Sequence, residues 1–236
     1  MRTARLISIL CVVFLASGVG VARADFINGS CTGTPSFINP CTVSPTFSGS
    51  GGTGAGTATT VSPNNNNTTT ASPNQITLSE NFTSVAAIDA TFTLAFSANG
   101  TEYFASNVVL NNNSGATWTG FKFELLPTAN GDGLNFDAAT NDPPPVSPTF
   151  TIVTRPNEDT LLWSGGLVFN TQTASFTFSI DVPTGAQNLP LYPNFTFRAT
   201  PIAAVPEPSS LLLLGSGLSG LGLWHRWHSR SRRRHT

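Results

Sequence analysis

The sequence predicts an all-β fold: an antiparallel β-sandwich flanked by an N-terminal signal helix and a single C-terminal transmembrane helix. Several short runs alternate apolar and polar residues with period two, and Gly, Pro or Asn turn signals bound each run. Charged residues make up only 10% of the chain, against about 25% in a typical globular protein. Good helix formers are scarce between the two ends, so the composition disfavours a helical enzyme.

The alternating runs lie between residues 75 and 204, which we assign to the sandwich domain. They are 90–96, 103–110, 121–125, 160–169, 175–180 and 195–198. Because no convincing helix separates them, we expect about seven strands in two antiparallel sheets. The phenylalanines at alternate positions should face the core between the sheets.

Residues 1–24 have the three parts of a secretory signal peptide. Arg2 and Arg5 form a basic beginning, residues 6–21 are mainly apolar, and Ala22-Arg23-Ala24 places small residues where signal peptidase reads them. We predict that signal peptidase cleaves between Ala24 and Asp25. The alternative is a retained membrane anchor, which the short apolar run and the Ala-x-Ala site disfavour.

Residues 25–74 contain two cysteines and an Asn/Thr/Gly-rich, low-complexity stretch. Cys31 and Cys41 are the only cysteines after the signal peptide, and in an exported chain they most simply form one disulfide. Two free thiols or a metal pair are the alternatives. A metal site would need more ligands, and all three histidines lie in the C-terminal tail.

Small polar side chains dominate residues 46–74. Such side chains bury little apolar area to offset the entropy of ordering, so we expect a flexible linker or a long exposed loop. A second interpretation places the threonines on a flat ice- or sugar-binding face, although no fixed Thr-x-Thr period recurs along the chain.

The stretch from Asp25 to Val205 is strongly acidic. It holds eleven acidic residues against three basic ones, Lys122, Arg155 and Arg198, which gives a net charge of −8. A body of this charge should repel nucleic acid and anionic membrane surfaces. We therefore expect no nucleic-acid partner.

One short segment has a pattern that could bind a cation. Asp132, Asn135 and Asp137 lie close together among glycines and could supply oxygen ligands to Ca²⁺. The segment lacks the bidentate Glu of an EF-hand and does not repeat as calcium β-rolls do. An acidic surface turn is therefore the default interpretation, and we predict no cofactor.

No pattern in the body of the chain predicts catalysis. Glu158 and Asp159 are adjacent in a polar loop, and nothing indicates a cleft in which carboxylates would face one another. The body has no His and no Gly-x-Ser-x-Gly elbow, which argues against a hydrolase. We expect a protein without enzymatic activity.

Residues 205–236 have three parts in a fixed order. Pro206, Glu207 and Pro208 come first, and an apolar segment without charge follows from Leu211 to Trp224. The basic end contains Arg226, Arg230, Arg232, Arg233 and Arg234. As a helix, Ser209–Trp227 would span roughly 28 Å, enough for a bilayer core with the arginines on the cytoplasmic side. The prolines should leave the segment before it extended and accessible to a protease. Without processing, the tail would be a plain membrane anchor.

This order closely resembles the PEP-CTERM sorting signal of exported bacterial proteins. The resemblance covers about the last thirty residues. It implies that an exosortase, an integral-membrane cysteine protease, reads the tail and cuts near Pro-Glu-Pro, with Glu207 as the recognition handle. Segments 112–125 and 162–167 are more weakly similar to uncharacterised β-sandwich proteins that carry such tails, which implies a surface or matrix protein with no catalytic residues to transfer.

We therefore expect an exported cell-surface or extracellular-matrix protein that passes through an inner-membrane intermediate. Its role would be structural or adhesive, in the envelope, at the surface or outside the cell. The alternative is a carbohydrate- or ice-binding module exported by the same tail, with extracellular polysaccharide as a candidate partner.

Overall fold

In a computed structural model of the chain, the described residues are 25–28, 31, 35–36, 38–62, 70–96, 101–129, 131–137, 143–183, 191–204, 216, 218–219 and 221. The predicted signal helix lies outside these residues, as does most of the predicted transmembrane helix. Upstream of residue 205, the described part is all-β, as the sequence predicts.

Thirteen strands make up this part of the molecule. They are β1 (Asp25–Ile27), β2 (Cys41–Val43), β3 (Thr46–Ser48), β4 (Gly52–Thr60), β5 (Gln75–Phe82), β6 (Ile88–Phe96), β7 (Thr101–Asn112), β8 (Trp118–Leu126), β9 (Asn135–Asp137), β10 (Ile152–Asn157), β11 (Thr160–Ser164), β12 (Thr173–Val182) and β13 (Asn194–Ala203). They form two sheets that enclose one core, an arrangement consistent with a β-sandwich.

The first sheet has seven strands in the order β1-β6-β13-β8-β11-β10, and β3 also pairs with β6. All of these pairs are antiparallel. Within β13, Thr196 pairs with Thr91 on one side and with Leu126 on the other. The last strand among the described residues therefore lies in the middle of its sheet.

The second sheet has six strands in the order β2-β4-β5-β7-β12-β9. Here the prediction of purely antiparallel sheets is wrong at one place, because β5 and β7 run parallel, with Leu78 opposite Val108. The chain passes through β6, in the other sheet, between these two strands. This crossover is long enough to return the chain in the same direction, which a tight hairpin cannot do.

The sheets extend upstream of the predicted domain boundary at residue 75, and β3 and β4 occupy part of the expected linker. β4 pairs with β5 along its length, and β3 pairs with β6. The small residues of β4 have a packing role. A Cβ added at Gly54 would lie 2.2 Å from Cδ1 of Phe47, and one added at Gly56 would lie 2.7 Å from Cδ2 of Leu78. The low side-chain volume that suggested a linker thus allows close packing against this strand. Residues 63–69 lie outside the described part.

Aromatic rings fill the space between the two sheets. The ring centroid of Phe123, on β8, lies 4.9 Å from that of Phe176, on β12 in the opposite sheet. It also lies 4.9 Å from that of Phe197, on the neighbouring strand β13. All three side chains are buried, so the prediction that alternating phenylalanines face the core is confirmed. Burial of such rings is the main stabilising contribution to a fold of this kind.

One carboxyl group interrupts this apolar layer. Glu80 alternates with Leu78 and Phe82 on the inward side of β5 and is 0% exposed. Neither of its carboxyl oxygens has a hydrogen-bond partner among the described residues. Burial, with a smaller contribution from the negative charge of Asp89, raises the pKa of Glu80 to about 8. Glu80 is therefore mainly protonated at neutral pH.

Stability should fall as the pH rises from about 4.5, the ordinary pKa of Glu, to about 8. In this range the folded state keeps the proton of Glu80 while the unfolded state releases it, so rising pH favours unfolding. Glu80→Gln should flatten this part of the profile, as measured by urea denaturation at a series of pH values. Glu124→Gln, which removes a surface carboxylate paired with Lys122, should leave the slope in place. An unchanged slope in Glu80→Gln would show that this carboxyl group is not the cause.

Candidate functional site

Three carboxylates from two separate turns lie close together. Asp132 precedes β9, and Glu158 and Asp159 form the turn between β10 and β11. Asn157 pairs with Thr160 across this two-residue turn, and the Asn157 Oδ1 accepts a hydrogen bond from the Asp159 backbone N–H at 3.0 Å. One carboxylate oxygen of each acid lies within 4.8 Å of those of the other two. We call Asp132, Glu158 and Asp159 the carboxylate cluster.

Hydrogen bonds fix the orientation of Asp132. The backbone N–H of Leu134 donates to its Oδ1 at 2.8 Å, and the hydroxyl of Tyr192 donates to its Oδ2 at 2.8 Å. Gly131, at a φ of 82°, occupies the left-handed region that favours glycine, and its N–H donates to Oε1 of Glu158. The two turns are therefore tied to each other by the protein itself.

Asp159 is the buried member of the carboxylate cluster. Only 1% of its surface is exposed, and neither carboxylate oxygen has a hydrogen-bond partner in the described parts of the chain. Burial, with smaller contributions from the negative charges of Asp132 and Glu158, raises the pKa of Asp159 to about 6. The carboxylate is thus held away from water beside two like charges.

One cation lies next to the carboxylate cluster. Nη2 of Arg155 donates to Oδ1 of Asn135 at 3.1 Å and to the backbone carbonyl of Glu158 at 3.3 Å. Its charge lowers the pKa of Asp159, against the larger effects that raise it. One guanidinium thus accompanies three carboxylates, which leaves local negative charge uncompensated.

The structure places the three residues of the predicted calcium pattern differently. Asp132 belongs to the carboxylate cluster, but Asn135 bonds with Arg155 and with the Gly133 carbonyl, at 3.1 Å each. The backbone of Asp137 belongs to β9, and its side chain lies outside the description. Glu158 and Asp159 were not predicted as ligands, because their approach to Asp132 depends on long-range packing. The only indication in the sequence is that Glu158 and Asp159 are adjacent acids in a polar loop.

The outward side of the second sheet presents hydroxyl and amide groups. Its residues on β4, β5 and β12 that alternate with core positions include Thr53, Thr57, Thr59, Gln75, Thr77, Ser79, Asn81, Thr173, Ser175 and Thr177. The hydroxyls of Thr57 and Thr77 are hydrogen-bonded across the strands at 2.9 Å. We call these ten uncharged residues the hydroxyl face.

Cys31 and Cys41 form a disulfide with their Cα atoms 5.8 Å apart, which confirms the predicted pairing. Cys41 begins β2 in the second sheet, whereas Cys31 follows β1 of the first sheet. The N–H of Cys31 also donates to Oδ1 of Asn28 at 2.8 Å. The bond therefore links the segments at the edges of the two sheets.

Most of the predicted targeting residues lie outside the described part of the chain. These are Ala22, Ala24, Pro206, Glu207, Pro208, Arg226, Arg230, Arg232, Arg233 and Arg234. Asp25, on the far side of the predicted signal cleavage site, is described: it begins β1, is buried, and its N–H donates to the Pro183 carbonyl at 3.2 Å. Cleavage at Ala24 would thus have to precede the packing of β1.

The described residues of the tail are few. Residues 216, 218, 219 and 221 are helical. Within the part of the chain that the structure describes, no helix has the length and apolar character needed to span a membrane.

Comparison with known proteins identifies the tail. A family model described as the PEP-CTERM protein-sorting motif matches residues 204–226. This match includes Pro206, Glu207, Pro208 and Arg226, and it confirms the resemblance found from the sequence. The motif implies export to the cell envelope or surface and processing by an exosortase. No curated protein and no solved structure matches the chain significantly.

Removal of the disulfide should destabilise the protein. The double substitution Cys31→Ala, Cys41→Ala should lower the free energy of unfolding by about 2–3 kcal/mol, because it frees a loop in the unfolded state. Chemical denaturation measures the change, and Ser36→Ala in the same loop is a control that should have little effect. A reducing agent should destabilise the parent protein to a similar degree and leave the double variant unchanged. Equal stability of parent and double variant would exclude a stabilising role for the bond.

Proposed function

We propose that this chain is a surface or matrix protein that an exosortase sorts and cleaves, and that its β-rich body has a structural or adhesive role without catalysis. The observation that carries the proposal is the sorting motif at residues 204–226. The predicted signal peptide supplies the export step, and the apolar segment would hold the intermediate in the inner membrane.

The position of the motif relative to the fold supports processing at the membrane surface. β13 ends at Ala203, and the N–H of Ala204 donates to the Thr117 carbonyl at 3.0 Å. An extended chain covers at most about 3.6 Å per residue, so Glu207 lies no more than roughly 11 Å along the chain from Ala204. The enzyme would therefore cut close to the folded body while the apolar segment holds it at the bilayer.

The properties of the body support a passive, exposed role. Its net charge of −8 between Asp25 and Val205 favours solubility and keeps it away from anionic surfaces. The cross-sheet disulfide and the continuous aromatic core would keep the fold intact outside the cell. This charge, disulfide and core would suit a protein that must stay folded and soluble at the cell surface.

The intact mass of the surface form tests the sorting proposal. In a host that contains an exosortase, the mature protein should begin at Asp25 and end near Glu207. Glu207→Ala should leave a membrane-bound form that retains Thr236, because the processing enzyme loses its recognition handle. Ser210→Ala, just beyond the motif, is the matched control and should be processed normally. A parent protein that reaches the surface with its full tail would reduce the motif to a membrane anchor.

A second candidate function is the binding of neutral polysaccharide or ice, and the hydroxyl face favours it. Side chains on one face of a sheet recur at roughly 4.8 Å between strands and roughly 6.8 Å along them. Because β7 lies between β5 and β12, the hydroxyl face consists of two patches of uncharged donors and acceptors, one on β4 and β5 and one on β12. Part of it comes from β4, within the stretch in which the sequence suggested a threonine-rich face.

Paired hydroxyl deletions test this second function. Thr77→Val removes a hydroxyl from the hydroxyl face, where Thr77 bonds with Thr57. Thr91→Val removes the matching hydroxyl from the first sheet, where Thr91 bonds with Thr196 at 2.9 Å. Retention on insoluble neutral polysaccharides, or thermal hysteresis, should weaken several-fold in the first variant and persist in the second. If the parent protein shows neither retention nor hysteresis, the second function is excluded.

A further inference from the structure

We propose that the carboxylate cluster of Asp132, Glu158 and Asp159 is a Ca²⁺ site that fastens the turn before β9 to the β10–β11 turn. One oxygen of each acid lies within 4.8 Å of the others. Two oxygens bound to one Ca²⁺ at 2.3–2.6 Å can be up to about 5.2 Å apart. Three oxygens spaced evenly around one Ca²⁺ at 2.6 Å lie about 4.5 Å apart, so the three groups can bind one ion with at most a small adjustment of their side chains.

Asp159 supplies an observation independent of the clustering. It is 1% exposed, its carboxylate oxygens have no hydrogen-bond partner among the described residues, and it is directed toward Asp132 and Glu158. A buried charge without a partner destabilises a fold unless a counter-ion or hydrogen bonds compensate it. A cation between the three carboxylates would provide that compensation.

The neighbouring groups leave room for coordination. Asp132 accepts one hydrogen bond on each oxygen, from Leu134 and from Tyr192. An ionised carboxylate has about four lone-pair sites, so both oxygens keep acceptor capacity. Arg155 lies to the side, where it donates to Asn135 and to the Glu158 backbone carbonyl. The charge of the cluster is thus reduced by this guanidinium but not cancelled.

The chemistry of the ligands favours Ca²⁺ over other common divalent ions. All three donors are carboxylates, which are hard oxygen ligands, whereas Zn²⁺ sites are built mainly from Cys and His. Mg²⁺ requires bonds of about 2.0–2.1 Å in a near-octahedral arrangement, so its oxygens lie at most about 4.2 Å apart. Ca²⁺ accepts a wider, irregular shell completed by water, so it tolerates oxygens near the 4.8 Å limit better than Mg²⁺ does.

Binding would stabilise a specific region of the fold. The carbonyl of Glu158 accepts a hydrogen bond from the Phe136 N–H at 2.8 Å, which attaches the β10–β11 turn to β9. β9 and β10 belong to different sheets. An ion between Asp132 and the β10–β11 turn would therefore strengthen a link between the two sheets far along the chain from the disulfide.

Thermal unfolding with and without Ca²⁺ tests the proposal on purified full-length protein in detergent. Near-UV circular dichroism follows the buried aromatic rings. If the dissociation constant is about 1 mM, in the range of extracellular modules, about 10 mM Ca²⁺ should raise the Tm by roughly 3–6 °C relative to chelator. An equal concentration of Mg²⁺ should produce a clearly smaller shift.

The Tm of the Asp159→Asn variant distinguishes a Ca²⁺ ligand from a residue that only supports the fold. The variant removes a buried charge without changing the shape of the side chain, so in chelator it should be at least as stable as the parent. The variant should lose the Ca²⁺ response. In chelator its Tm should therefore equal or exceed that of the parent, whereas in Ca²⁺ the parent should have the higher Tm. Glu158 is half-buried. The substitution Glu158→Gln provides a second variant that should lose most of the Ca²⁺ response.

Glu124→Gln is the control matched in charge. It removes a carboxylate on β8 that pairs with Lys122 at 2.9 Å, and it should keep the full Ca²⁺ response. The proposal is overturned if the parent Tm does not respond to Ca²⁺, if Mg²⁺ acts equally, or if Asp159→Asn responds as strongly as Glu124→Gln.

Discussion

The contact between Phe123 and Phe176 across the two sheets is the constraint on which the rest of the structure depends. Their centroids are 4.9 Å apart, so the sheets must meet here at close range, and every inward residue must fit the resulting gap. Large rings lie where β8 and β13 of the first sheet face β12 of the second. Glycines replace them on β4, where Phe47 packs against Gly54. Side-chain volume across the core is therefore complementary, as close packing requires.

This complementarity explains what the sequence could predict. A strand such as β12, whose apolar residues alternate from Ala174 to Val182, has a local pattern that indicates both its structure and its inward face. β4 has glycine and alanine on its inward side, so its pattern resembles a linker until Phe47 and Leu78 are placed against it. The parallel pairing of β5 with β7, and the approach of Asp132 to Glu158 and Asp159, also depend on which strands become neighbours. Local periodicity does not contain that information.

The two buried acids illustrate how surroundings decide the role of a carboxyl group. Glu80 lies within the apolar layer, and burial shifts its pKa to about 8, so it remains mainly neutral there. Asp159 lies at a turn beside two other carboxylates, where its pKa is raised to about 6 and it is mainly charged at neutral pH. Glu80 avoids a buried charge because it keeps its proton. Asp159 lies within a group of three converging carboxylates, and this geometry makes the carboxylate cluster, and not Glu80, the candidate for ligand binding.

The central position of β13 couples folding to the sorting step. Its partner residues in β6 precede it by about one hundred positions, as in the pair of Asn194 with Thr93, and such distant pairing forms late because of the entropy of loop closure. In an exported chain, the first sheet therefore cannot be completed until residue 203 has crossed the membrane. The strand pairs end at Ala203, before the Pro-Glu-Pro. Cleavage at the motif would therefore remove none of the described strand pairs, and the core of the body would stay intact.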